Sequence, residues 1–378
     1  MKARNIVVGV IAAGVLAGVV VSCGSSGSGG GGSATTYTVG GALSGATGSV
    51  TLKLNGANDL SKSNGSFTFT KQLAIGDTFN VQVIDGADRC TVANGAGTIG
   101  AANVTNVAVT CAAQGTETVV RSAALNFAQE TPTPPAPSTG TGVGGVIVNP
   151  TTKAISGGIT VSGLTGNPSA AHIHRGDGSI AIGLVLASDN ATAVLPVGAT
   201  LTDADYAELL AGTLYFNVHT TANPNGEIRG QINVQGGVGA AVAALDGAQE
   251  PSTSTATGTG TLIFDRATRN ILITYITHNV VPTAGGTVGA TAAHIHDAMT
   301  NTTGPVIVPF NNLTANFDGA GNNIAYPPAA TRSQVPSADV ADFDLDHFYF
   351  NVHSDNNLCA PAATCAAGEI RGNITHLP

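Results

Sequence analysis

Apolar and polar residues alternate with a period of two along much of this chain. Residues 49–54 (Ser-Val-Thr-Leu-Lys-Leu) put Val50, Leu52 and Leu54 on one face, Asn64-Gly65 marks a turn, and Phe67-Thr68-Phe69, residues 78–84 and residues 104–109 take up the alternation again. Side chains two apart on a strand share a face, so short strands at this spacing predict a small β-sandwich over residues 36–112. Further on, residues 261–264 and 271–276 are apolar runs joined by a turn over 265–270, a hairpin whose earlier counterpart is Val146-Ile147-Val148 with Asn149-Pro150. In residues 214–219, Leu214, Phe216 and Val218 face a core, whereas Tyr215, Asn217 and His219 face away from it. Residues 227–234 divide in the same way, with Ile228, Ile232 and Val234 inward and Glu227, Arg229 and Gln231 opposite. Two short helices punctuate the strands. Thr202-Asp203-Ala204-Asp205 reads as an N-cap with acids in the first turn, Leu209 and Leu210 face inward and Gly212 ends it, and Ser337-Ala338-Asp339 starts a counterpart.

The pattern is duplicated. Ala170-Ala171-His172-Ile173-His174 returns as Ala292-Ala293-His294-Ile295-His296, and Tyr215-Phe216-Asn217-Val218-His219 returns as Tyr349-Phe350-Asn351-Val352-His353. Gly226-Glu227-Ile228-Arg229-Gly230 returns as Gly368-Glu369-Ile370-Arg371-Gly372, and an Ala-Gln-Glu precedes each copy at 128–130 and 248–250. Taken together, the Ala-Gln-Glu start, A-H-I-H, the V-H after an aromatic-rich strand and the closing G-E-I-R-G resemble the CHRD family, named after chordin. The resemblance covers residues 117–235 and 240–378 and implies two extracytoplasmic β-domains, with recognition of an extracellular protein or glycan as one use of their exposed faces. The expected fold is therefore all-β: three consecutive antiparallel β-sandwich modules, Ig-like or superoxide-dismutase-like, with one short helix in each CHRD-type repeat. A Pro-rich strip at 131–137 lies just inside the first repeat, with Pro251 at the matching place in the second, and reads as an edge segment that covers the sheet without donating hydrogen bonds.

Composition supports the all-β reading and narrows the partners. Charged residues are 10% of the chain, Gly is 50 of 378 and Trp is absent, a mixture suited to short strands and Gly-rich turns. With 14 Lys plus Arg against 23 Asp plus Glu, the net charge is −9; no basic stripe is present to neutralise phosphates, which excludes nucleic acid as the expected partner. At the N-terminus, Lys2 and Arg4 precede an apolar run over 6–21 that ends at Ser22-Cys23. The run is short of the roughly 20 residues that span a bilayer, and it resembles a bacterial lipoprotein signal. That resemblance implies cleavage before Cys23, lipidation of Cys23 and a membrane anchor. Gly24 after the Cys implies sorting to the outer membrane in a cell that has one, and residues 24–35 form a Gly/Ser tether. Of the remaining cysteines, Cys90 and Cys111 lie in one module, Cys359 and Cys365 in another; locality selects these two disulfides among three possible pairings, and neither C-x-x-C spacing nor a nearby His supports a metal site instead. Cys359 and Cys365 fall in an insertion peculiar to the second copy, since His219 precedes Glu227 by 8 positions but His353 precedes Glu369 by 16.

The chemistry concentrates in one repeated constellation: His172, His174, His219, Glu227 and Arg229, and its copy His294, His296, His353, Glu369 and Arg371. The other three of the nine histidines, His278, His347 and His376, fall opposite Ser162, Thr213 and Val234 of the first copy and read as incidental surface residues. Three uses of the set stay open. Three imidazoles, two at H-x-H spacing and one from a neighbouring strand, suit copper or zinc, with Glu227 and Glu369 as candidates either for a fourth ligand or for a supporting place behind the ligands; proton competition would then weaken binding below pH about 6.5. The H-I-H followed by Arg175-Gly176-Asp177-Gly178 resembles the copper-binding strand of copper/zinc superoxide dismutase, but that enzyme's bridging-His and zinc-loop pattern has no match, so dismutase activity is not implied. The second use is structural: a partly buried His donates to a backbone carbonyl and accepts from Arg, while Glu227 with Arg229, and Glu369 with Arg371, form ion pairs that lock two strands in a fixed register. The third is recognition through the exposed face. No Ser or Cys nucleophile sits beside a base. The reading adopted is a surface-anchored, non-catalytic binding lipoprotein, with a copper-dependent oxidoreductase or an adhesive protein as the alternatives.

Overall fold

The computed structural model describes residues 35–85, 89–112, 118–250, 252–280, 290–299, 302–327, 335–336, 338–354 and 368–377. The expected signal with Cys23, all but the last residue of the expected tether, Pro251, Ser337 and the expected Cys359–Cys365 disulfide lie outside the described residues.

The first module is the expected sandwich of two four-stranded sheets. One runs Gly65–Ala74, Thr36–Ser44, Val104–Ala112, Arg89–Ala93, and the other Ala57–Lys62, Val50–Leu54, Thr78–Asp85, Ala96–Thr98. The alternation in the sequence maps onto the buried faces: Val50, Leu52 and Leu54 are fully buried, as are Phe67 and Phe69 opposite them. One pairing departs from the antiparallel rule, since Thr36–Ser44 runs parallel to Val104–Ala112. Cys90 and Cys111 are cross-strand partners and form a disulfide.

Each repeat folds into one sheet, and the two sheets have the same strand order. In the first the order is Ile180–Gly183, Pro168–His174, Tyr215–Thr220, Ile228–Gln231, Val119–Asn126, Thr141–Val148, Ile155–Ser162, Thr192–Val194, Val185–Leu186. In the second it is Val306–Phe310, Ala290–Asp297, Phe348–Ser354, Ile370–Asn373, Val238–Asp246, Thr257–Asp265, Ile271–His278, Asn323–Tyr326, Asn312–Thr314. The chain over 180–186 pairs with one edge of its sheet by its first half and with the other edge by its second, and Leu184 N donates to Ala171 O at 2.9 Å between them. The sheet thus closes toward a barrel, which leaves few free strand edges. Leu214, Phe216, Val218, Ile228 and Ile232 fill its interior together with Ile173. The helix Asp203–Leu210 opens on a capping box between Thr202 and Asp205 and buries Leu209 in that core. Its counterpart Val340–Asp344 buries Phe343 but has no side-chain cap at Asp339.

The repeats are more than beads on a string. Several of their strands are apolar on both faces, and the outward residues Ile147 and Val194 join Ala240, Ile263, Ile273, Tyr275, Ile324 and Tyr326 in a core shared by both repeats. Polar contacts tie this seam. Gly157 N donates to Tyr275 Oη at 2.9 Å, and Ser188 Oγ meets Tyr326 Oη at 3.1 Å. The Pro-rich strip is an irregular loop and, contrary to expectation, does donate a hydrogen bond: Ala136 N donates to Asn223 Oδ1 and Ala136 O accepts from Asn223 Nδ2, each at 3.0 Å. Among the described residues no helix is long and apolar enough to cross a membrane.

Candidate metal centre

Register brings the three histidines of each copy together. Pro168–His174 pairs antiparallel with Tyr215–Thr220, so His172 faces Asn217, His174 faces Tyr215 and His219 faces Ala170. The small Ala170 side chain leaves room for the His219 ring to lean diagonally toward His172, and the ring centroids are 4.9 Å apart. The second copy repeats this register with Ala292 opposite His353, and the His294–His353 centroids are 5.1 Å apart. One ligand nitrogen from each of His172, His174 and His219 lies within 4.8 Å of the others, and the same holds for His294, His296 and His353.

Backbone carbonyls fix which nitrogen each ring presents. The His174 Nδ1–H donates to Gly178 O at 2.9 Å, and the His219 Nδ1–H donates to Pro224 O at 3.0 Å. Their Nε2 lone pairs therefore point into the cluster, the orientation in which a metal-binding imidazole is held by its outer nitrogen. Gly178 adopts φ +90°, and its turn closes through Arg175 N to Ser179 O, which aims the carbonyl at His174. In the second copy Gly304 O does this for His296 Nδ1 at 2.9 Å. His174 is 8% exposed and His296 9%, and among the described residues the Nε2 of each is buried with no hydrogen-bond partner, as is His294 Nδ1. His172 Nδ1 lies 3.1 Å from His219 Nε2. With His219 committed to the Pro224 carbonyl, only a proton on His172 or a shared cation relieves two facing lone pairs.

Burial favours the neutral form of His172, His219, His294 and His296. It pushes His172 down to about 4, helped by His219 and His174, and His294 to about 4, helped by His353 and His296. His219 and His296 are also lowered by burial, against the opposing pull of their carbonyl partners. Proton competition at His172 and His294 therefore sets in well below the unperturbed value near 6.5.

The two glutamates stand elsewhere. Glu227 is fully buried, and its carboxylate accepts from Ser138 Oγ at 2.5 Å, Thr165 Oγ1 at 2.5 Å, Thr165 N at 2.8 Å and Thr220 Oγ1 at 2.6 Å. Burial alone would raise its pKa, but these hydrogen bonds outweigh it and hold the group below 4.5. Glu369 is likewise held by Ser254 Oγ at 2.6 Å and by the Ser354 hydroxyl. Neither glutamate belongs to a three-histidine group, so the fourth-ligand expectation gives way to a hydroxyl cage that pins loops together. The contacts of the two arginines among the described residues are with aromatic rings and carbonyls rather than the expected partners Glu227 and Glu369. Arg229 lies 3.5 Å from the Tyr215 ring centroid, and that ring stacks on His174 with centroids 5.2 Å apart. Arg371 sits 3.4 Å from the Tyr349 ring, which stacks on His296 at 4.9 Å, and the guanidinium donates to Thr302 O at 2.6 Å and Met299 O at 3.1 Å.

Two acids escaped the sequence reading. Glu130 and Glu250, the last residues of the two Ala-Gln-Glu segments, are 7% and 8% exposed and accept from Asn217 Nδ2 at 3.1 Å and Asn351 Nδ2 at 3.2 Å. Burial raises both, Glu250 to about 7. Gly226 has φ +129°, and a Cβ there would lie 2.7 Å from Glu130 Oε1, which accounts for the glycine that opens G-E-I-R-G. Their repetition at the same point of both copies was the available signal. His278 also departs from expectation. It is 3% exposed, because Asn323–Tyr326 extends its pairing as far as His278, whereas the pairing of Thr192–Val194 ends at Thr160, short of Ser162. His347 and His376 are partly exposed and contact Asp342 and Asp346.

Two domains with the same sheet order, the same three-histidine cluster and the same G-E-I-R-G turn meet comparison with known families. The CHRD domain model matches residues 121–232 and 241–374. The chain belongs to the CHRD family. Comparison with curated proteins and with solved structures finds no match. The geometry of the CHRD repeats therefore has to carry the functional reading.

Proposed function

We propose that this chain is an envelope lipoprotein, anchored through Cys23 to the outer membrane, whose two CHRD repeats each bind one copper or zinc ion. The ligands are His172 Nδ1, His174 Nε2 and His219 Nε2 in the first repeat, and the matching nitrogens of His294, His296 and His353 in the second. The observation that carries this reading is the buried, unpartnered Nε2 of His174, repeated at His296, with the outer nitrogen tied to a carbonyl. A buried polar atom without a partner costs about 1–3 kcal/mol; its recurrence in both copies, inside a ring of imidazoles, is what an ion would offset.

A second reading has its own support. The 3.1 Å contact between His172 and His219 also suits a hydrogen-bond network that holds the two strands in register. Elemental analysis and titration of the purified full chain separate the two. Metal binding predicts two equivalents of copper or zinc per chain, one after His172→Ala with His219→Ala, and none when His294→Ala and His353→Ala are added, with circular dichroism confirming the fold. No uptake at micromolar metal by the folded chain leaves the network as the account. A copper-dependent oxidoreductase shares this donor set and is told apart by turnover of the copper-loaded chain.

A further inference from the structure

Both sites share a feature that a general three-histidine site does not need: a guanidinium stacked on the tyrosine that stacks on the most buried ligand. We infer that each site is selective for monovalent copper over divalent zinc, and that Arg229 and Arg371 are the residues that set the preference. This rests on the metal-binding reading above.

The donor set points the same way. Among the described residues each cluster offers three imidazole nitrogens and no carboxylate or thiolate, since Glu227 and Glu369 are occupied by hydroxyls outside it. Zinc in proteins takes four ligands, usually with an anionic one among them or a water whose proton it loses. Monovalent copper, likewise d10, is complete with three donors and needs no added water or anion; imidazole suits both metals, so coordination number rather than donor type separates them.

Charge adds to this. Nothing in the donor set neutralises an incoming ion, and a ligand ring as buried as His174 or His296 places it in a poorly hydrated site. The cost of placing charge there rises with the square of the charge, so a divalent ion meets about four times the penalty of a monovalent one. The guanidinium is a second obstacle. Arg229 lies 3.5 Å from the Tyr215 centroid, and Tyr215 lies 5.2 Å from the His174 centroid, which places the charge roughly 10 Å from an ion held at Nε2. At an effective dielectric of about 20 to 40, each unit of ionic charge at that separation loses on the order of 4- to 15-fold in affinity. Glu130 is the carboxyl beside Arg229, with its pKa raised by burial and pulled back by that guanidinium; wherever it is ionised it opposes the guanidinium, so roughly 4- to 15-fold is the most that Arg229 contributes.

The test uses the full chain with the second site disabled by His294→Ala and His353→Ala, so that only the first is read. Affinities for copper(I), kept reduced with ascorbate, and for zinc(II) are measured by competition with chromophoric chelators. Copper(I) should bind more tightly. Arg229→Gln should improve zinc relative to copper(I) by more than about twofold and up to roughly 15-fold, whereas Arg229→Lys, which keeps the charge, should leave the ratio within about twofold. Zinc binding as tight as copper(I), or an unchanged ratio in a folded Arg229→Gln chain, overturns the selectivity while leaving metal binding intact. Should Arg229→Gln fail to fold, a ratio in the Arg229→Lys chain shifted as far as the loss of the charge requires would overturn the electrostatic origin. Uptake of neither ion overturns the metal-binding reading and this inference together.

Discussion

Replacing Glu227 by glutamine keeps the shape of the side chain and removes its charge, which makes it the sharpest probe of the hydroxyl cage. The carboxylate accepts four hydrogen bonds from Ser138, Thr165 and Thr220. Glutamine can present one oxygen to Thr165 N and Ser138 Oγ, but its amide then forces the Thr165 and Thr220 hydroxyls to turn from donors into acceptors. Hydrogen bonds to a charged group contribute about 1.5–3 kcal/mol each and neutral ones about 1. The loss at two contacts plus the weakening of the others comes to roughly 2–4 kcal/mol. With a urea slope of about 2–3 kcal/mol/M, that moves the midpoint of the first repeat by about 1 M. The assay is hydrogen exchange at Phe216 and Ile228 as a function of urea, which reads the first repeat without assuming that the whole chain unfolds in one step. The sign with pH is also fixed: because Glu227 is held below 4.5, its contribution is full above pH 4.5 and disappears as pH falls through the folded value. A midpoint shifted by less than about 0.2 M, accompanied by loss of metal at the first site, would refute the cage and return Glu227 to the ligand set.

Glu250 should show the opposite pH dependence. Burial raises it from 4.5 to about 7, so ionising it costs the folded state stability that starts to be lost above pH 4.5 and is fully lost above about 7. Glu250→Gln should therefore gain on the wild type by up to about 3 kcal/mol between pH 4.5 and pH 8, measured by urea denaturation at both. Removing the Cys90–Cys111 crosslink, which spans a sequence separation of 21, should destabilise the first sandwich by about 3 kcal/mol, read as faster exchange at Val81 and Val109. Tyr275→Phe leaves the buried Gly157 N–H without its acceptor and should cost about 1–3 kcal/mol at the seam between the repeats, seen as faster exchange at Gly157 and Ile273.

Where a side chain lies within a strand, the sequence located it well. Leu214, Phe216 and Val218 are unambiguously apolar, so a period of two put Tyr215 and His219 on the opposite face, and the H-x-H spacing put His172 and His174 together. Glu227 was misplaced because it precedes the strand Ile228–Gln231, after a Gly226 at φ +129°, where alternation no longer applies. Arg229 was on the right face, but alternation says nothing about reach, and the flat Tyr215 ring gives the guanidinium a partner that pairing of opposite charges overlooks. The shared core was hidden for a related reason. Apolar residues on both faces, such as Ile147 and Ile263, show that the outer face is covered but not by what. Nothing in one copy's sequence identifies the other copy as the cover.

The central claim is that an ion sits among three named nitrogens in each CHRD repeat, and anomalous diffraction at the copper or zinc edge tests it most directly. Crystals of the full chain grown with metal should show two peaks, one about 2 Å from His172 Nδ1, His174 Nε2 and His219 Nε2, the other at the same distance from the matching atoms of His294, His296 and His353, with the carbonyl bonds of His174 and His296 intact. An empty cluster in crystals soaked at saturating metal, or peaks bound instead by Glu227 and Glu369, would contradict the account.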